Sequence, residues 1–441
     1  MNSEQGKPRC TVSWNTAARY YQNALAVIVV GIFYTNVPLY LYEKSGSSGD
    51  PPKYWVIALA AMTVPFLWQR IMSWNLQKLP ILGWCFAYTW ISVIWFFPSS
   101  QSEVAWQVLR YHFQAVIVLI LMLMVFSSRS AVMWAGKAMV AAVLFGCALN
   151  IYEIFNPLAF SDNAGRSAGL YVNPNLAAEA LVLGMILGLS SLKQRYRFPF
   201  MLVAGMGILT TFSRAGIVVW CLALAGTVII GQVRVRNFVL SGLAATIVVV
   251  SVVVPQWDQV RLFLKSTGVL NVNVEGRINW LMNPSVSSDS SSLERAYIAQ
   301  RAWKKYGERP FVGSGTGASR EGWGGVANNA THNMYLSLMV DYGVVGLLLL
   351  PLLLLSTTWS AVGDSKYIGW IFALSVLPLG FANHTILDTP KTLLLFALMA
   401  SMARESFESN PNVSKERPTS SFRIVASSKN LGRPRSGVIG F

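Results

Sequence analysis

The chain has 441 residues, of which 54% are apolar and only 12% charged. A soluble globular domain carries about a quarter charged residues, so an ordinary soluble enzyme is excluded and a polytopic membrane protein is indicated. The 35 Lys and Arg against 19 Asp and Glu give a formal net charge of +16; the excess sits largely in short loops and the C-terminal tail, which reads as a membrane-orientation signal rather than a nucleic-acid surface.

Apolar stretches long enough to cross roughly 30 Å of hydrocarbon as helices lie near residues 21–42, 54–69, 79–98, 105–126, 131–155, 173–191, 198–212, 215–231, 237–255, 343–360, 367–385 and 389–403. Backbone groups in lipid must be satisfied within the segment, and no alternating ten-residue pattern suggests a barrel. The expected fold is therefore all-α, with about twelve transmembrane helices and one large outward loop carrying short amphipathic helices. The polar N-terminus runs into an apolar stretch without a small-residue cleavage site and reads as an uncleaved first span.

Counting the spans places Lys7, Arg9 and Arg19, Arg70 and Lys78, Arg129 and Lys137, Lys193, Arg195 and Arg197, Arg234 and Arg236, and Lys366 on one side. The tail adds Arg404, Lys415, Arg417, Arg423, Lys429, Arg433 and Arg435. Positive charge in short loops marks the cytoplasmic face, so both termini are expected there. The division is then a cytoplasmic N-terminus (1–20), nine spans (21–255), an outward loop and histidine segment (256–342), three further spans (343–403) and a basic cytoplasmic tail (404–441) facing anionic lipid. Cys10, Cys85, Cys147 and Cys221 all avoid the outward loop, so no disulfide framework is expected.

Where the long loop returns to lipid stands His332, in THNMYLSLMVDYGVVG. An imidazole at such a boundary suits proton transfer, because its ordinary pKa lies near physiological pH. Three arginines fall on the outward side without being needed for topology: Arg166 in NAGRSAGLYVNPNLAAEA, Arg214 in TTFSRAGIVVW and Arg295 in SSLERAYIAQRAW. A desolvated guanidinium needs an anion, and its planar fork matches phosphate oxygens. Together these residues suggest a diphosphate site, although Arg166 alone would equally suit snorkelling to headgroups. Around Arg295, Leu293, Ala296, Tyr297, Gln300 and Trp303 recur at helical spacing and predict an amphipathic interfacial helix. Arg295 lies off that stripe, beside Ala299, Ala302 and Tyr306, facing either a cavity or water.

The glycines of FVGSGTGASREGWGG lack the flanking strand and helix of a dinucleotide loop and are read as a mobile loop carrying His332. No HExxH, close histidine pair or outward Asp-x-Asp offers a metal site, so neither metal nor cofactor is expected. His112 and His384 are read as hydrogen-bonded structural groups. Glu179, four residues after Asn175 on one helical face, is expected to be buried and is a candidate for substrate contact.

Four pieces occur in order over roughly 180 residues: R-x-x-G followed by NPN from Arg166 to Asn175, SRAG from Ser213 to Gly216, the loop helix bearing Arg295, and HN followed by YGVVG from His332 to Gly346. As an ordered set they resemble the O-antigen ligase family of bacterial inner membranes, in a superfamily shared with O-antigen polymerases and protein O-oligosaccharyltransferases. The resemblance implies about twelve helices, a periplasmic loop, and transfer of glycan from undecaprenyl diphosphate to a sugar hydroxyl of the lipid A core in lipopolysaccharide biosynthesis. Carried over by position, it makes His332 the essential histidine, Arg214 and Arg295 the essential arginines, and Arg166 a further motif arginine. Asn175, Asn333 and Tyr335 join Arg166 as expected substrate-binding residues.

Such a transfer needs a base at the acceptor hydroxyl and positive charge on the departing diphosphate, which His332 and the arginines would supply. With no carboxylate pair placed for a covalent intermediate, direct displacement and inversion are expected. A polymerase would share the donor chemistry with a lipid-linked acceptor, and a protein O-glycosyltransferase would carry a longer outward sequence. A transporter of lipid-linked sugar would show charges near the midplane and repeated halves; here no internal repeat is seen and the charges gather at one face.

Overall fold

The computed structural model describes residues 14–45, 51–73, 79–162, 165–231, 255–266, 290–321 and 331–408, with scattered positions between 233 and 276. Every regular element among the described residues is helical. In chain order they are α1 (Trp14–Val29), running through a π-turn into α2 (Val37–Ser45), then α3 (Pro51–Ser73), α4 (Pro80–Phe96), α5 (Glu103–Val125) and α6 (Arg129–Phe155). There follow α7 (Pro174–Gly188), α8 (Gln194–Leu209), α9 (Arg214–Ile229), α10 (Trp257–Ser266), α11 (Ser290–Glu308), α12 (Met334–Tyr342), α13 (Val344–Thr358), α14 (Gly363–Leu379) and α15 (Pro390–Glu408).

A helix overlaps each predicted stretch except 237–255, which lies mostly outside the described residues, but the one in 367–385 ends at Leu379 and residues 380–385 form a turn. By length and hydropathy, Glu103–Val125, Arg129–Phe155 and Pro174–Ser191 are long and apolar enough to cross a membrane. Thr16–Tyr34 and Val37–Ser45 qualify as one span bent by 46°. The first predicted span is thus broken rather than straight. Asn36, with φ 63°, sits at the bend; asparagine tolerates this left-handed region better than bulky residues do. The N-terminal segment before residue 14 and the basic tail beyond residue 408 lie outside the described residues.

Two helices form the middle of the bundle. α7 reads PNLAAEALVLGMILG and is buried around almost its whole circumference, as expected of a helix that is apolar on every face. α15 packs against α5, α7, α13 and α14 and is likewise buried from Leu393 to Ala403. One charged side chain from each meets the other between them: Lys391 Nζ lies 3.1 Å from Glu179 Oε1, with the two side chains 1% and 2% exposed.

The glycine loop after α11 is pinned rather than free. Ser314 N donates to Val340 O at 2.8 Å, Gly315 N to Asp341 O at 3.0 Å and Thr316 N to Trp95 O at 3.1 Å. The Asp341 carboxylate also accepts from Ser319 N at 2.6 Å. Gly313 and Gly315 have φ 76° and 98°, and a Cβ on either would meet backbone of Asp341 or Ser99 below 3.0 Å. These glycines therefore serve close packing, which corrects the expectation of a mobile loop for residues 313–319; residues 322–330 are outside the described set.

Candidate active site

Where α7, α9 and α12 begin, the chain makes three short approaches to one cavity of about 240 Å³. Each helix is capped by a polar side chain at its start: Asn173 accepts from Asn175 N, Ser213 from Gly216 N and Asn333 from Leu336 N. The exposed N–H groups and aligned peptide dipoles of a helix start favour an anion, and here two such starts contribute wall residues. Asn173, Asn175 and Leu176 come from the first, Ser213, Arg214 and Ala215 from the second. His332 is the residue immediately before the cap of α12, and it lines the same cavity with Arg295 of α11.

Arg295 reaches the wall because α11 packs by the face opposite to its apolar stripe. Ala302 clusters with Ala318, Leu336 and Val340, with Ala299 and Tyr306 beside them, whereas Leu293, Tyr297 and Trp303 are exposed. The face shared with Arg295 is thus the protein-packed one, which decides between cavity and water for its guanidinium. The exposed apolar stripe is left free to meet a membrane interface.

Not every predicted site residue is on the wall. Arg166 is buried behind it: Nε donates to Thr211 O at 2.9 Å and Nη2 to Asn175 Oδ1 at 3.0 Å. It fastens the loop before α7 to the turn before α9 and aims the Asn175 amide, so it neither snorkels nor lines the cavity. Tyr335 donates its hydroxyl to Leu377 O at 2.9 Å, and Asn333 is occupied as a helix cap; both stand outside the wall. Asn175, Arg214, Arg295 and His332 are the four that the fold brings together.

Besides Glu179, expected from sequence as a buried candidate for substrate contact, the wall holds residues that sequence pattern had not assembled. Glu179 lines it and is held by Lys391, while Asn383 Nδ2 donates to the other oxygen of the same carboxylate. Asn383, His384 and Thr385 belong to the turn between α14 and α15. The polar run NHT between two apolar helices was the available signal for that turn. Behind Arg166, the buried Glu153 accepts four backbone N–H groups, from Phe160, Ser161, Ala168 and Gly169, and so closes the loop that carries the arginine.

Residues 199–350 match the family model described as O-antigen ligase. Over this stretch the chain is similar to the O-antigen ligase family. Members of this family are glycosyltransferase-like enzymes, acting in general between a lipid-linked glycan and a lipid acceptor. The matched stretch contains Arg214, Arg295 and His332; Arg166, Asn175, Glu179 and His384 lie outside it. No curated protein matches the chain significantly.

Within this cavity, partial burial and the nearby Arg295 guanidinium hold the His332 imidazole below its ordinary pKa, with Glu294 acting weakly the other way. His332 is therefore neutral at physiological pH and free to take a proton. A second cavity of about 220 Å³, lined mainly by apolar residues including Phe33, Leu39, Trp55, Val118 and Leu393, adjoins the first. Thr385 is in both walls. The Arg320–Asp388 ion pair stands in the second wall.

Proposed function

We propose that the protein is an O-antigen ligase of the bacterial inner membrane, which transfers glycan from undecaprenyl diphosphate to a sugar hydroxyl of the lipid A core on the periplasmic side. The observation that carries this reading is the single cavity shared by His332, Arg214 and Arg295. In the proposed reaction the acceptor hydroxyl attacks the anomeric carbon and its proton passes to His332. The bond from that carbon to the diphosphate oxygen breaks, and its electron pair leaves on the diphosphate. Arg214 and Arg295, with the starts of α7 and α9, oppose the charge that builds there. The positive charge that other enzymes draw from a divalent ion is supplied by side chains, so the reaction is expected to proceed with chelator present. A polyprenyl diphosphate is polar at one end and apolar one bond away; the cationic cavity and the apolar one, meeting at Thr385, have the same order.

The deciding experiment is transfer by the purified full-length protein in detergent, with undecaprenyl-diphosphate glycan as donor and rough lipopolysaccharide as acceptor. Product on the lipid A core supports the ligase. Extension of a lipid-linked acceptor alone would make the protein a polymerase, and movement of donor across vesicles without bond cleavage would make it a transporter. The same assay reads stereochemistry: direct displacement inverts the anomeric centre, and a retained configuration would refute the single-displacement mechanism.

Arg214→Ala is expected to weaken the apparent affinity for donor about 10- to 100-fold, the usual range for losing charge-assisted hydrogen bonds. Arg214→Lys should recover little of it, because an ammonium keeps the charge without the planar fork. Unchanged donor affinity and normal turnover in Arg214→Ala would remove that residue from the mechanism.

A further inference from the structure

His384 differs in kind from the other histidine that sequence pattern reads as structural. His112 has its Nδ1 placed between Ser92 Oγ at 3.0 Å and Tyr342 OH at 3.1 Å, which is how a buried imidazole is normally satisfied. His384 has its Nδ1 buried with no hydrogen-bond partner among the described residues. Its ring meets that of His332 edge to face, with centroids 5.6 Å apart and planes at 71°, and it lines the same cavity as Arg214, Arg295 and His332.

The turn that carries His384 is nonetheless tightly held. Asn383 Oδ1 accepts from Thr385 N and Thr385 Oγ1, both at 2.9 Å, and Asn383 Nδ2 is bound to Glu179. Thr385 O accepts from Asp388 N and Thr389 N, both at 3.1 Å, and Gly380 O accepts from Met334 N at 2.8 Å. The last bond ties the turn to the start of α12, two residues from His332. A side chain mounted on a tightly held turn, making no hydrogen bond among the described residues and facing a charged cavity, is arranged for a substrate group.

Its protonation state follows from its surroundings. Burial, then the Arg320 and His332 charges, lower its pKa to about 4, with Asp388 opposing, so the ring is neutral. A buried N–H without an acceptor is rarer and costlier than a buried lone pair without a donor. The single proton is therefore assigned to Nε2. A ring in that tautomer has its basic nitrogen turned away and cannot replace His332 as base; it can only donate.

Resting on the ligase reading above, we infer that His384 is a second catalytic imidazole, donating a hydrogen bond through Nε2 to a diphosphate oxygen of the lipid-linked donor. In an in-line displacement the attacking and departing oxygens lie on opposite sides of one carbon. Both rings line the one cavity, so His332 can take the proton of the incoming hydroxyl while Nε2 of His384 meets the oxygen that gains the electron pair. Such a donor acts where charge develops, and so acts mainly on turnover.

The test is a substitution series in the full-length protein: His384→Gln, whose amide N–H reaches the position of Nε2, His384→Asn, whose amide reaches only that of Nδ1, and His384→Ala. Expected is loss of turnover on the order of 10²-fold in Ala and Asn, with Gln retaining activity within about tenfold of wild type. Binding of undecaprenyl diphosphate, measured by titration without acceptor, should weaken in Ala and Asn more than in Gln. Equal losses in Gln and Asn, or an Ala variant that binds and turns over like wild type, would overturn the assignment while leaving the ligase reading standing. Wild-type protein that binds no undecaprenyl diphosphate would overturn both. Should the Ala variant not fold, the comparison of Gln with Asn decides.

Discussion

His332→Ala is expected to abolish glycan transfer, lowering turnover by about 10²- to 10⁴-fold, the usual contribution of a positioned general base. That corresponds to about 3 to 5 kcal/mol of transition-state stabilisation. The protein should still fold, because His332 sits in an irregular stretch before the α12 cap and makes no core contact that the fold depends on. Donor binding should persist, since the two arginines and the starts of α7 and α9 remain. The pH profile of wild type gives an independent check. A base must be neutral to act, and burial and Arg295 lower the His332 pKa from 6.5. Activity should therefore hold as pH falls through the ordinary histidine range and be lost only below it. Arg295→Gln removes a charge that disfavours the imidazolium and should move that acid limb to higher pH. An acid limb lying above the ordinary value in wild type, or a His332→Ala enzyme of normal turnover, would refute the base assignment.

How much of this was legible in sequence depended on whether a residue's role follows from its place along the chain or from a distant neighbour. Arg214 and His332 stand at boundaries between an apolar span and a polar segment, and such boundaries are visible in composition. Arg295 needed one more fact, which face of α11 packs. The apolar stripe of Leu293, Tyr297 and Trp303 was a correct reading of amphipathicity, yet it is the exposed side, and small residues Ala299 and Ala302 make the tight contact instead. Arg166 and Asn175 are nine residues apart and sequence placed both at the substrate. Their hydrogen bond puts one behind the other, which no spacing rule states. His384 was read as structural from its type and surroundings, and only its unbonded, buried Nδ1 sets it apart from His112. The glycine loop had the composition of a flexible segment, but its positive-φ positions are those where another backbone comes too close for a Cβ. Closeness between elements far apart in sequence was in each case the missing information.

The Glu179–Lys391 pair shows the same dependence and leads to the second large effect. The two residues are 212 apart in sequence, on the two central helices, and each would be an uncompensated charge in an apolar interior without the other. Lys391 also donates to Leu176 O at 3.1 Å, so one ammonium ties α15 to the first turn of α7. Glu179 in turn holds Asn383, and with it the turn that presents His384. Lys391→Met is expected to destabilise the protein by about 3–5 kcal/mol, because breaking a buried pair strands the remaining charge. The melting midpoint in detergent should drop by several degrees, and transfer should fall as the His384 turn loses its anchor. The double variant Glu179→Gln with Lys391→Met removes both charges and keeps an amide beside Asn383. It should be more stable than Lys391→Met alone, since a buried pair replaced on both sides is often close to neutral. A double-mutant cycle measures this coupling directly. Additive losses would mean that the two side chains are solvated independently and that the pair does not organise the cavity. Recovered stability without recovered transfer would separate the two roles: the charges hold the helices together, and the Glu179 carboxylate itself, facing the cavity and bonded to Asn383, keeps the second imidazole in place for the donor.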